Sequence, residues 1–202
     1  MNYLAHFYLS FDQEPLIVGN LLGDFARGRL DHPRNTRYNE AIKQGILLHR
    51  QIDSFTDTHP AGQACRQKLP TSFGKYRGVV MDMYFDYFLA KYFADYHSQP
   101  LKEFTGHIYG ILAKYRSILP ADSLPLVDSM TKYDWLYNYQ FREGMSRSFN
   151  GMSQRFSFLK GIEKASDELF THEAVYEGYF RAFFPDLVSC CEDFLNMRYF
   201  EH

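Results

Sequence analysis

The stretch Ala41-Ile42-Lys43-Gln44-Gly45-Ile46-Leu47-Leu48-His49-Arg50-Gln51-Ile52-Asp53-Ser54-Phe55-Thr56 decides the fold class. Ala41, Gly45, Leu48, Ile52 and Phe55 step by four and three, the spacing that gathers side chains on one face of an α-helix. Such a stripe must be covered by a partner helix. A second stripe runs beside it through Ile42, Ile46, His49, Asp53 and Thr56. Outward along the chain, Val80, Tyr84, Tyr87 and Lys91 continue helical spacing, and 101–119 and 172–194 read as further helices. Turn-forming residues punctuate the chain at 28–35, 60–62, 70–74, 120–125 and 144–151, and at Pro100 and Pro185. Strand alternation is nowhere sustained. The reading is an all-α, bundle-like single domain over 1–202, with seven or eight helices.

Composition narrows the class. With 19 Phe and 16 Tyr, the chain has rings enough for a large core and for a groove that takes a long, thin ligand. A net charge of -2 excludes a nucleic-acid-binding polycation. Charge is uneven, however. Arg27, Arg29, Arg34, Arg37, Lys43 and Arg50 face only Asp31 and Glu40 over 27–50, while 163–193 is acidic. A basic run beside a site points to an acidic or phosphorylated partner; the alternative is a solvated face. Three cysteines, Cys65, Cys190 and Cys191, make neither a disulfide framework nor a CxxC knuckle, which fits a reducing cytosol. Residues 1–15 lack a signal-peptide pattern and no apolar run approaches a membrane span, so a cytoplasmic protein is expected.

Polar residues in apolar stripes carry the functional signal. In the segment 78–96, one face runs Val79, Asp82, Asp86, Leu89, Phe93. Two carboxylates at i, i+4 repel each other, and burial raises that cost unless a cation compensates. A divalent metal or an arginine from another helix would serve. His49 and Asp53 repeat the pattern one helix earlier, where an imidazole and a carboxylate can hold a metal or the carboxylate can orient the ring. Asp53 could instead pair with Arg50. Asp24 lies among Leu21, Leu22 and Phe25, with Arg27 at i+3 as a simple ion-pair partner. His6, within Tyr3-Leu4-Ala5-His6-Phe7-Tyr8-Leu9, reads as buried: a ligand, or a hydrogen-bonded core residue.

Several motifs then occur in order: Asn2-Tyr3-Leu4-Ala5-His6; Gly19-Asn20-Leu21-Leu22-Gly23-Asp24-Phe25 with Arg27-Gly28; His49-Arg50-Gln51-Ile52-Asp53 with Thr56-Asp57; Asp82 with Asp86-Tyr87-Phe88; and, late, Trp135-Leu136 and Asn150-Gly151-Met152 with Arg155. This succession resembles the acyl-carrier-protein phosphodiesterase family, a divergent helical relative of the HD phosphohydrolases, over nearly the whole chain. The resemblance implies hydrolysis of the phosphodiester between 4′-phosphopantetheine and a serine of holo-acyl carrier protein, a small acidic partner. It implies a divalent metal, manganese first, with magnesium or ferrous iron as alternatives. Carried over, His6, Asp24, His49, Asp53 and Asp86 are the candidate metal ligands. Asp82 stands behind these ligands or is an additional one; Asp82 or Asp57 would accept the proton of the attacking water, and Arg27 or Arg50 would clamp the phosphate. The sequence departs from the HD pattern, since Arg50 rather than an aspartate follows His49; the pair is either split between His49 and Asp53 or completed by Asp24. Two other readings compete: an HD-type hydrolase of a nucleotide or other small phosphodiester, and a non-catalytic helical module that binds a carrier protein.

Overall fold

Apolar periodicity becomes helix almost everywhere in the computed structural model, which describes residues 1–199. The described residues form twelve α-helices and no strand. In order they are α1 (Tyr3–Tyr8), α2 (Glu14–Leu22), α3 (Glu40–Thr58), α4 (Pro60–Lys68), α5 (Arg77–Lys91), α6 (Phe93–Tyr96), α7 (Leu101–Lys114), α8 (Leu124–Lys132), α9 (Trp135–Asn138), α10 (Arg142–Arg155), α11 (Ala165–Thr171) and α12 (Glu173–Tyr199). The fold is all-α. The expected count of seven or eight was low because α1, α6, α9 and α11 span only four to seven residues. Two turns or fewer hold no readable period.

Two turn expectations are corrected. Residues 144–151 lie inside α10. Gly144 is there for proximity, since a Cβ on it would fall 1.8 Å from the Asn138 carbonyl oxygen. Pro185 lies inside α12, where the fully buried Phe183, Phe184 and Leu187 anchor the helix through the lost donor. Pro60, by contrast, opens α4 at a position whose N–H would be unpaired in any helix.

Helix α3 is the axis of the site. Its start is fixed by Asn39, whose side chain accepts from the Ile42 N–H at 2.9 Å. Its Gly45 meets Gly19 of α2 so closely that a Cβ on Gly19 would lie 2.6 Å from the Gly45 Cα and 2.2 Å from the Ile42 oxygen. The two backbones therefore touch. On the other side, α5 and α12 interlock through aromatic side chains, with Phe85 against Phe183 at 5.0 Å and Phe88 against Phe180 at 5.8 Å. Most of the chain's rings thus lie in the core or pack against it. No helix among the described residues is long and apolar enough to cross a membrane.

Candidate metal centre

Helices α1, α2 and α3 bring His6, His49 and Asp53 together. The ligating atoms of these three residues lie within 4.8 Å of one another. His6 Nε2 is 3.3 Å from Asp53 Oδ1, and His49 Nε2 is 3.1 Å from Asp53 Oδ2. The two imidazoles stack, centroids 4.3 Å apart. Asp24, just past the end of α2, has its Oδ1 3.7 Å from His49 Nε2, and burial together with the Asp24 charge pushes the Tyr3 hydroxyl up. The cluster opens into a cleft of about 340 Å³, with Asp57, Asp82 and Met152 on its walls.

One asparagine sets both rings. His49 Nδ1 is 2.8 Å from the Asn20 backbone oxygen, which can only accept, so Nδ1 carries the proton. His6 Nδ1 is 3.1 Å from Asn20 Oδ1. The amide is oriented by its other end: Asn20 Nδ2 donates to Ser10 Oγ at 2.8 Å, and that hydroxyl donates to the His6 carbonyl at 2.9 Å. Both rings thus hold Nδ1–H and turn a bare Nε2 towards the Asp53 carboxylate. Lone pairs facing one another at 3.1–3.3 Å require a proton or a cation between them. These are also the separations of neighbouring ligands around one ion with bonds of about 2.1 Å. The residues fit a divalent cation.

The charges agree. Burial pulls His6 below its ordinary 6.5. Burial pulls on His49 as well, but the hydrogen bond and charge of Asp53 outweigh it and raise this ring. Burial alone would raise Asp53; a proton shared with the facing His49 and His6 nitrogens instead holds its carboxyl well below the usual range. Without a metal, the group shares a proton; a cation would replace it.

The remaining expected site residues are distributed differently. Asp86 does not join the group. It is fully buried, and its carboxylate accepts the N–H groups of Asn2 at 3.2 Å, Leu4 at 2.7 Å and Ala5 at 3.3 Å. It caps α1 and so fixes the helix that carries His6. Asp82, one turn earlier on α5, lines the cleft and takes the Met1 amino group at 2.9 Å; burial raises its carboxyl. Asp57 lines the cleft too, but its Oδ1 accepts from Arg66 at 2.6 Å. Arg50 points to the Ala26 and Gly28 carbonyls, at 2.9 and 2.7 Å, and pins the loop after Asp24. Arg27 is an exposed residue of that loop and does not line the cleft. The side chain of Arg34 lies outside the described residues.

Asn20 and Tyr3 stand in the motifs without a role assigned to them, and Ser10 was not singled out from the sequence. The available signal was Asn20 itself, a buried amide within the apolar run of α2. Gly23 is the other silent participant: a Cβ there would lie 2.1 Å from the His49 Cγ, so only glycine lets the ring cross the end of α2.

This geometry belongs to a chain whose residues 1–187 match the family model described as acyl carrier protein phosphodiesterase. The chain belongs to the acyl carrier protein phosphodiesterase family. Two curated relatives of that name are 30% identical: the Enterobacter sp. (strain 638) protein over 193 residues, covering 93% of this chain and 96% of the relative, and the Klebsiella pneumoniae (strain 342) protein over 198 residues, covering 96% and 98%. The Salmonella agona (strain SL483) protein of the same name is 28% identical over 190 residues. No solved structure matches the chain. Acyl carrier protein phosphodiesterases are by that name phosphoric diester hydrolases, and the matched region holds the whole His6–Asp24–His49–Asp53 cluster.

Proposed function

We propose that this protein is a metal-dependent phosphodiesterase that releases 4′-phosphopantetheine from the serine of holo-acyl carrier protein. The observation that carries this reading is the convergence of two bare imidazole nitrogens and a carboxylate within 4.8 Å, at the base of an open cleft, in a member of this family.

His6, His49 and Asp53 would hold the cation, with Asp24 beside His49 as a further oxygen donor. Two nitrogens with carboxylate oxygens suit manganese or ferrous iron better than magnesium, which prefers oxygen alone. A cation there supplies Lewis acidity to a phosphoryl oxygen and acidifies water beside it. The chain's own residues do the rest. Asn20 keeps both Nδ1 atoms protonated and both Nε2 atoms available. Asp82 is the proposed proton acceptor for the attacking water because burial has made it more basic; it and Asp57 both line the cleft and both have a cationic partner, the Met1 amino group for Asp82 and Arg66 for Asp57. The water oxygen stays on phosphorus, the bond from phosphorus to the serine oxygen breaks, and the proton passes to that serine.

The test is mass spectrometry of holo-acyl carrier protein incubated with the protein, with and without manganese. Loss of the prosthetic-group mass in the presence of metal, and its absence after chelation, is expected. An unchanged mass under both conditions would refute the reaction.

A further inference from the structure

A second, open depression of about 530 Å³ adjoins the cleft, and Asp57 belongs to the walls of both. Arg66, Lys75 and Arg77 supply its charge, with Gln63 and Gln67 between them. Three cations against one carboxylate leave this spot positive on a chain whose net charge is -2. Lys75 is exposed, its ammonium 5.2 Å from the centre of the Tyr76 ring. Tyr76 stacks on Phe158 at 5.8 Å, and Phe158 packs on Phe156 at 5.3 Å. Phe158 is 61% exposed and Phe156 39%. Val79, on the cleft wall, is 38% exposed. Two of the seven large hydrophobic side chains exposed among the described residues, Phe158 and Phe156, therefore continue outward from Tyr76 beside Lys75, and a third, Val79, lines the cleft. Arg155 ends the row, its guanidinium 5.3 Å from the Phe156 centroid. An exposed apolar row bordered by cations marks an interaction surface.

We propose that the Arg66–Lys75–Arg77 depression and the Tyr76–Phe158–Phe156 ledge form the docking surface for an acidic protein, whose modified side chain then crosses the Asp57 wall into the cleft. The proposal deepens the function above and rests on it for the partner's identity. The basic run 27–50 is less suited, because Arg27 does not line the cleft and four of its other cations are engaged within the chain, as Arg66 is by Asp57 in the depression. Arg50 holds two carbonyls, Arg29 grips Asp31 at 2.6 Å, Lys43 pairs with Glu40 at 2.7 Å and Arg37 donates to the Tyr38 hydroxyl at 2.6 Å. Among the described residues Lys75 has only the Tyr76 ring beneath it, so its charge is available to steer a partner.

The experiment measures binding of apo-acyl carrier protein, which has no phosphodiester to cleave, to wild type, Lys75→Glu, Lys75→Glu/Arg77→Glu and Phe158→Ser. Wild-type affinity is expected to fall as salt rises. The double variant should lose about tenfold or more at low salt and show a flatter salt dependence, and Phe158→Ser should lose affinity without changing the salt dependence. Lys75→Glu alone, an exposed change, keeps the test valid if the double variant misfolds. Equal affinity of wild type and Lys75→Glu, or no binding by wild type, would overturn the docking surface. Turnover of holo-carrier protein and of bis(p-nitrophenyl) phosphate separates this from the reaction. Binding that is lost in the variants while no enzyme releases phosphopantetheine would sink the reaction and keep the surface. Normal turnover with KM unchanged in every variant would sink the surface and keep the reaction.

Discussion

Asn20 is a single residue with two assignments: its backbone oxygen takes the His49 proton and its side-chain oxygen takes that of His6. Replacing it by leucine keeps the apolar surroundings and the backbone oxygen but frees the His6 tautomer. Manganese affinity is expected to fall about 10–100-fold with the fold intact, measured by titration calorimetry beside circular dichroism. Unaltered affinity would remove Asn20 from the site. Asp86 makes the opposite case. Its alanine variant leaves three buried N–H groups without an acceptor, so it should lose about 1–3 kcal/mol in urea unfolding even without metal. Full stability combined with lost turnover would return Asp86 to the list of ligands. Burial pushes this carboxyl up to about 7 from 3.8. A raised folded-state value means the native form holds the proton more tightly. The contribution of Asp86 to stability is therefore fully present below 3.8 and is lost as pH rises through about 7. In Asp86→Asn, which cannot ionise, that loss between pH 4 and 7 should be absent when unfolding is followed against pH.

At the scale of elements, the crossing of α2 and α3 is what makes a site from two separate stripes. Gly19 and Gly45 let the backbones touch, and Gly23, one turn beyond Gly19, leaves room for the His49 ring. The two kinds of contact predict different failures. Gly19→Ala forces a Cβ onto backbone and should destabilise the fold by about 1–3 kcal/mol, read from the melting temperature. Gly23→Ala meets a side chain that can turn away. It should therefore cost metal affinity and turnover more than stability, and an active Gly23→Ala enzyme would show that His49 is not needed where it stands. Helix α1 belongs to this scale too. It has only six residues and is held in place by Asp86 from α5, which explains how so short a helix can position His6.

For the whole molecule, the proposed metal centre would couple metal, protons and fold. His49 is raised by Asp53, so the metal-free protein keeps a proton there above the ordinary 6.5. Raised-value logic applies: the stabilisation from the protonated His49–Asp53 pair is present below 6.5 and fades as pH rises through the folded-state value. A cation competes with that same proton. Manganese binding should therefore tighten from about pH 6 to pH 8 and release protons, which calorimetry in buffers of different ionisation enthalpy would detect. Affinity independent of pH would exclude His49 as the displaced group.

The sequence by itself determined that the chain is helical, because α3 and α5 are long enough to show their period, and it marked the polar residues that break apolar stripes. His49 and Asp53 were legible as a pair since one helix turn places them together whatever surrounds it. The short helices and the helical course of 144–151 were not legible, for packing against distant residues overrides local preference there; the helix read over 172–194 forms, and only the turn marked at Pro185 within it does not. Tertiary structure alone decided which carboxylates meet the histidines. Asp82 and Asp86 look alike along α5, yet one faces the cleft and the other is turned towards the amides of α1. Arg50 and Arg27 stand as close to the site in sequence as any cation, yet one is spent on carbonyls and the other faces solvent. A helical period fixes the direction of a side chain relative to its own axis; what that direction meets depends on how the axes cross, and here two glycines set the crossing.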